Sequence, residues 1–133
     1  MFIERLMNQT NAPLLEQTVK FASARHKLIL ANIANVDTPG YRQADLSVRK
    51  FQELVSKRID ERRRVGKANV GFGDIEHEVE NPTAGILFHD RNNRSMEHLA
   101  SDMAKNAMMH NLAVELLRKQ YQSLETALRE RIQ

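Results

Sequence analysis

The chain has 133 residues, of which 41% are hydrophobic, so it can build one modest core but not several domains. It contains no cysteine, which excludes disulfide frameworks, thiolate zinc sites and cysteine nucleophiles. The formal net charge is +3, but the imbalance is local: residues 57–67 hold six basic and two acidic side chains, and residues 74–80 hold four acidic ones. The longest apolar run, Leu28–Ala31, is far below the roughly 20 residues of a membrane span, so we expect no membrane span. The first residues also lack a secretory signal pattern.

Proline and glycine divide the chain into a helix, an irregular middle and a longer helix. Two of the three prolines and all five glycines lie between residues 39 and 85. The pattern predicts one mainly α domain, with an N-terminal helix over 12–36, a turn, short helix and loop over 37–94, and a C-terminal helix over 95–132. At 1.5 Å per residue the terminal helices would be roughly 36 and 57 Å long, which makes them rods.

Each terminal helix carries an apolar seam whose steps alternate between four and three residues. This heptad spacing predicts that the two long helices pair as a coiled-coil-like hairpin. The seam residues are Leu15, Val19, Ala22, His26, Ile29, Ile33 and Val36 on the first helix, and Met103, Ala107, His110, Val114, Leu117, Tyr121, Leu124 and Leu128 on the last.

A second apolar stripe runs beside each seam. Its members are Leu14, Phe21 and Leu28 on the first helix, and Met109, Leu112 and Leu116 on the last. One partner helix covers one seam, so a second stripe left in water would be an exposed apolar patch. Two explanations stay open: a short third helix over residues 48–63 covers the stripes within the chain, or the stripes pack against other subunits. For residues 70–79, a short hairpin and a loop are both compatible with the weak periodicity.

The sequence offers no residues for catalysis, a metal or a cofactor. His26 and His110 lie on the seams without metal-ligand spacing, so we expect hydrogen-bonded core histidines. No phosphate loop or catalytic triad pattern occurs. The basic run over residues 57–64 resembles a phosphate-contacting patch, but no aromatic residues are interleaved with it, so a solvated helix end is the preferred interpretation over nucleic-acid binding.

The most specific stretch, residues 30–42, describes a helix end followed by a tight turn. The sequence from Thr38 to Tyr41 fits a type II turn, because proline fixes the second position and Gly40 accepts positive φ at the third. Asn35 can satisfy backbone groups that the helix end leaves free.

This stretch resembles the signature of the axial proteins of the bacterial flagellum, the rod and hook family, whose shared motif reads approximately ANNIANVNTPGY. The matching positions are Asn32, Ile33, Ala34, Asn35, Thr38, Pro39, Gly40 and Tyr41. Asp37 stands where asparagine is common, and the single Asn32 stands where many members have two asparagines. The chain length and the passage from His89 into the last helix resemble a proximal rod protein within this family.

The resemblance implies a structural, non-enzymatic subunit of the proximal rod, the periplasmic shaft of the flagellar basal body that transmits motor torque. It implies helix packing within and between subunits by Leu15, Val19, Ala22, Ile29 and Ile33 with Val114, Leu117, Tyr121, Leu124 and Leu128. The implied partners are further rod subunits (its own copies and a FlgC-like protein), the adaptor FliE, the MS ring and the type III export apparatus that exports family members from the cytoplasm. No cofactor, nucleic acid or membrane span is implied.

Two alternatives to this interpretation remain. One is another flagellar rod protein, similar to FlgC. The other is a stand-alone basic helical adaptor that binds nucleic acid through residues 57–67.

Overall fold

The computed structural model describes residues 2–66, 70–80, 86–89 and 93–132, with side chains from residue 5 onward. Within these residues the chain forms five helices and one small sheet. The helices are α1 (Phe2–Gln9), α2 (Ala12–Ala34), α3 (Val48–Val65), α4 (Gly73–Glu80) and α5 (Met96–Ile132), and the strands are β1 (Ala44–Leu46) and β2 (Leu87–His89). The expected mainly helical class is confirmed. None of the helices in these ranges has the length and apolar character needed to cross a membrane.

Helices α2 and α5 pack along each other in opposite directions. Asn106 Nδ2 donates a hydrogen bond to the Ala22 carbonyl at 2.8 Å, and Tyr121 further along α5 reaches Glu16 nearer the start of α2. Buried residues seven apart include Ala22 and Ile29 on α2, and Leu99, Asn106 and Ala113 on α5. Ala22 and Ile29 belong to the predicted seam of α2, whereas Asn106 and Ala113 each precede a predicted seam position of α5 by one residue, and coiled-coil pairing stays a prediction.

The hydrophobic core lies on another side of α2. Phe21 stacks on Phe51 of α3, with ring centroids 4.2 Å apart and an interplanar angle of 12°. The buried core cluster contains Phe21, Leu46, Phe51, Phe72, Ile75, Val79 and Ile86. Phe21 of the second stripe is buried against Phe51 of α3, whereas Leu14 and Leu28 are half-buried and pack against the same cluster. The cluster also contains residues of β1 and α4, so the third helix covers this stripe only in part.

The middle of the chain is more regular than the sequence indicated. The prediction of a hairpin or a loop over residues 70–79 was wrong. Gly73–Glu80 is helical and buries Ile75 and Val79, which lie one turn apart. Gly71 just before this short helix and Gly73 as its first residue argued against a helix in the sequence, although its acidic first turn suits the positive end of the helix dipole. Strands β1 and β2 pair antiparallel with Leu46 opposite Leu87. Three-residue strands that pair across such a sequence separation leave no local period to detect.

Two serine side chains cap the N-termini of helices α3 and α5. Ser47 Oγ accepts a hydrogen bond from the Lys50 amide at 3.2 Å, at the start of α3. Ser95 Oγ accepts one from the His98 amide at 3.4 Å, at the start of α5. The second contact agrees with the expectation that the last helix begins at about residue 95.

Candidate assembly surface

The tight turn predicted after α2 is present. Gly40 has φ of 73°, and the Tyr41 amide donates to the Thr38 carbonyl at 3.2 Å. A Cβ at Gly40 would meet no atom within 4 Å, so the backbone angle alone favours glycine here. The turn reverses the chain and directs it towards β1.

Asn32 fixes the returning chain to the end of α2. Its Nδ2 donates to the Ala44 carbonyl at 2.8 Å, and its Oδ1 accepts from the Ala44 amide at 3.1 Å. The buried carboxamide therefore satisfies both backbone groups of one residue, as a neighbouring strand would. The sequence identified Asn32 only as a motif position, because its partner lies beyond the turn.

Asn35 closes the end of the helix, as expected. Its Nδ2 donates to the Ala31 carbonyl at 2.8 Å, and its Oδ1 accepts from Thr38 Oγ1 at 3.2 Å. Of the other motif residues, Ala34, Pro39 and Gly40 are exposed, whereas Ile33 and Tyr41 are half-buried. The described contacts of the motif residues therefore explain the local structure of the helix end and the turn.

A group of charged residues joins α2, β1 and the start of α5. Arg25 binds the Asp45 carboxylate with two nearly parallel hydrogen bonds of 2.9 and 3.0 Å. Arg94 contacts the same carboxylate at 3.4 Å and Asp102 at 2.5 Å. Gln43 adds a second carboxamide clamp, because its side chain pairs with the amide and carbonyl of Arg94 at 2.8 and 3.1 Å. Sequence reasoning missed these contacts, which have no characteristic spacing.

The predicted packing residues lie at different depths. On α2, Ala22 and Ile29 are buried, and Leu15, Val19 and Ile33 are half-buried. On α5, Val114, Leu117, Leu124 and Leu128 are half-buried, whereas Tyr121 is 38% exposed. Ala22 lies at the contact between α2 and α5, because its carbonyl accepts the hydrogen bond from Asn106. The structure leaves the α5 members only partly covered.

Tyr121 makes a polar contact within the predicted seam. Its hydroxyl donates to Glu16 Oε1 at 2.5 Å, across the two helices. This hydrogen bond to a carboxylate, together with partial burial and the Glu16 charge, raises the pKa of Tyr121 to about 12. The contact links the C-terminal half of α5 to the first turns of α2.

One apolar face of α5 is left uncovered by the fold. Met108, Leu112 and Leu116, one turn apart, are 73%, 62% and 43% exposed. We name these three residues the α5 stripe. Met109, expected in this stripe, instead packs against the core. For Met109 the stripe is therefore covered within the chain, whereas Met108, a rotation of about 100° away on the helix, points outward.

The two seam histidines line one cleft between α2 and α5. His26 and His110 share this cleft with Ala22, Ser23, Asn106, Ala107 and Asn111. Asn106 Oδ1 is buried without a hydrogen-bond partner in the described chain. Among all the residues that the structure describes, no three histidine, aspartate or glutamate side chains lie close enough together to bind a metal ion.

The basic run at the end of α3 is partly used within the chain. Arg58 forms ion pairs with Asp74 and with Glu61. Arg62 lies with its guanidinium carbon 4.8 Å from the centre of the Phe72 ring, and it donates to the Asn8 carbonyl. Burial lowers the pKa of Arg62. These contacts hold α1 and the segment before α4 against α3.

The fold and this surface define a class of protein: a small, mainly helical chain whose longest helix presents an apolar stripe that the described residues leave exposed. No family model matches the chain. It is similar to the flagellar basal body rod protein FlgB of Bacillus subtilis, with 27% identity over 116 residues, 86% of this chain and 89% of that protein. It is also similar to the FlgB of Aquifex aeolicus, with 29% identity over 97 residues, 73% of this chain and 75% of that protein. The resemblance to flagellar rod proteins is confirmed, and within them it is a resemblance to FlgB.

Proposed function

We propose that this chain is a structural, non-enzymatic subunit of the proximal rod of the bacterial flagellar basal body. It assembles by helix packing into the axial shaft that transmits motor torque. The observation that carries the proposal is the α5 stripe, because three large apolar side chains one turn apart form a surface suited to a protein contact. The similarity to FlgB over most of both chains supports the same conclusion.

The free end of α5 adds a second surface for assembly. Eleven residues of α5 follow Tyr121, whereas only four residues of α2 precede its partner Glu16. Because the helices run in opposite directions, the end of α5 extends past the start of α2, and Ile132 is 85% exposed there. In the proposal, Tyr121, Leu124 and Leu128 complete their packing against neighbouring subunits.

The proposed location and partners follow from the rod assignment. The protein is exported from the cytoplasm by the flagellar type III apparatus and assembles in the periplasm. Its neighbours are further copies, a FlgC-like rod protein, the adaptor FliE and the MS ring. An identity as another rod protein, similar to FlgC, has less support because both similar proteins are FlgB.

A basic adaptor that binds nucleic acid is the weaker alternative. Arg58 and Arg62 are already engaged by Asp74 and by the Phe72 ring, so the basic run offers fewer phosphate contacts than its sequence indicated. Binding that weakens steeply with salt and is lost on neutralising Arg63 and Arg64 would favour this alternative over a rod subunit.

The test of the rod function is a substitution in the α5 stripe in the organism that encodes the chain. Leu112→Gln removes an apolar contact from an exposed position, so the monomer should fold and remain soluble, whereas rods should not form. The matched control is Ala100→Gln, which places the same side chain at another exposed α5 position outside the stripe. Electron microscopy of basal bodies and swimming assays give the readout. Normal rods with exported Leu112→Gln protein would refute the proposal.

A further inference from the structure

An apolar groove lies between α2, α4 and β1. Its volume is about 500 Å³, and Ala24, Leu28, Leu46 and Val79 form its apolar lining. Lys20, Lys27 and Glu80 contribute charged groups to the same groove. At 100° per residue, Lys20 and Lys27 lie roughly 140–160° around α2 from Ala22, which faces α5. The groove therefore opens on the side of α2 away from α5.

The charges around this groove are only partly neutralised. Lys20 binds Glu76 of α4. Lys27 and Glu80 are both exposed, and within the ranges that the structure describes neither has an ion-pair partner. The groove thus combines an apolar lining with one unpaired charge of each sign.

The α5 stripe carries a matching set of charges. Lys105, Glu115 and Lys119 are each three residues from Met108, Leu112 and Leu116 respectively, so they flank the stripe on the helix surface. Lys105 and Lys119 are exposed and, over the described parts of the chain, also lack an ion-pair partner. Glu115 contacts Arg118 at 3.2 Å in an exposed pair, which is readily exchanged for another partner.

We propose that the α5 stripe of one copy docks into the groove between α2 and α4 of the next copy. Leu112 enters the apolar lining, Glu115 faces Lys27, and a flanking lysine of α5 faces Glu80. The inference rests on the proposed rod function, because it names the surface that receives the stripe. Apolar complementarity provides the contact, and the opposite charges fix its orientation.

This contact has a consequence for the form of the assembly. The stripe and the groove are different surfaces on different sides of the helix pair. A copy that has used its stripe still has a free groove, so the contact is heterologous and propagates instead of closing as a dimer. An open-ended series of copies is the form that a rod requires.

Engineered cysteines test the pairing, since the chain has none of its own. Leu112→Cys marks the stripe, and Lys27→Cys marks the edge of the groove. Under mild oxidation of concentrated protein, a mixture of the two single variants should give disulfide-linked dimers in several-fold excess over either variant alone. The double variant should give a ladder of oligomers. Ala100→Cys mixed with Lys27→Cys is the matched control and should not exceed background.

Other results overturn the docking arrangement. Dimers from Leu112→Cys alone would mean that two stripes pair with each other, and a linked monomer of the double variant would mean an intramolecular contact. Absence of cross-links in all mixtures would also refute it. If the cross-links fail while Leu112→Gln still prevents rod formation, the rod function stands and the groove is not its acceptor.

A charge exchange provides an independent measurement. In the chain without engineered cysteines, Lys27→Glu should strongly reduce self-association measured by sedimentation of concentrated protein, because it faces Glu115 across the proposed contact. Lys27→Glu combined with Glu115→Lys should restore most of the self-association. Failure of the second substitution to restore it would contradict the assigned pairing.

Discussion

The carboxamide of Asn32 pairs with both backbone groups of Ala44, at 2.8 Å to the carbonyl and 3.1 Å from the amide. One side chain on the last turns of α2 therefore does what a neighbouring strand would do for β1. The turn at Gly40 brings Ala44 back to this position. The motif that indicates the family thus also determines how the N-terminal helix joins the rest of the fold.

Asn32→Ala should destabilise the free protein by about 2–3 kcal/mol, because it leaves the amide and carbonyl of Ala44 without these hydrogen bonds. Urea unfolding followed by circular dichroism measures the free energy of unfolding. Thr38→Ala, which removes one exposed hydrogen bond to Asn35, is the control and should cost well under half as much. Equal losses in the two variants would contradict the role assigned to Asn32.

Gly40→Ala should cost about 1 kcal/mol or slightly more, since φ of 73° strains any residue with a Cβ. The matched control is Gly71→Ala, where φ is not positive and a Cβ would also meet no atom within 4 Å. That change should be neutral or stabilising by about 0.5 kcal/mol, because alanine restricts the unfolded chain. Thermal and urea unfolding of both variants separate backbone strain from steric contact.

The sequence predicted those parts of the fold that local patterns determine. Proline and glycine spacing indicated the turn at Gly40, and heptad spacing indicated the face of α2 that contains Ala22 and Ile29. The small sheet was not predictable, because Leu46 and Leu87 meet only through tertiary packing. The uncovered surface was predicted in part: Leu112 and Leu116 were identified, but choosing Met108 over Met109 required the rotation of α5 against the core.

Asp45→Asn should destabilise the protein by about 3 kcal/mol, because it leaves Arg25 and Arg94 without the buried carboxylate between them. The exposed pair of Arg49 and Glu53, 2.8 Å apart, provides the comparison. Glu53→Gln should change stability by no more than about 0.5 kcal/mol. If the two substitutions lower the urea midpoint by similar amounts, then the ion pairs of Asp45 do not hold α2, β1 and the start of α5 together.

The Tyr121 phenol should titrate near pH 12, because its proton is held by Glu16. The ordinary pKa is 10.0, so the folded state holds this proton more tightly than the unfolded chain. The resulting contribution to stability is complete below pH 10 and decreases as the pH rises from 10 towards 12. Near-ultraviolet absorbance in a Tyr41→Phe background isolates the Tyr121 transition.

Glu16→Gln should move that transition back towards the ordinary value, because a neutral acceptor does not oppose formation of phenolate. In this variant the free energy of unfolding should also decrease less between pH 10 and pH 12, because Tyr121 no longer contributes to that decrease. A Tyr121 transition at the same pH in the parent protein and in the Glu16→Gln variant would show that the two helices are not joined by this hydrogen bond in solution.

Amide hydrogen exchange should be graded along α5 in the free monomer. Residues 99–113 include Leu99, Asn106 and Ala113, which are buried against the rest of the chain, so their amides should exchange slowly. Residues 122–132 are exposed except for the half-buried Leu124 and Leu128, so their helix has few contacts and should exchange quickly. Helix α2 should be protected, since Phe21 stacks on Phe51 in the core.

The same measurement on assembled protein distinguishes the reason for the gradient. If the end of α5 is completed by neighbouring subunits, residues 122–132 should become protected on assembly, while protection of residues 99–113 changes little. Slow exchange along the whole helix in the monomer would mean that α5 is stable without partners and would favour a self-sufficient helical protein. Fast exchange in α2 as well would mean that the core around Phe21 forms only on assembly.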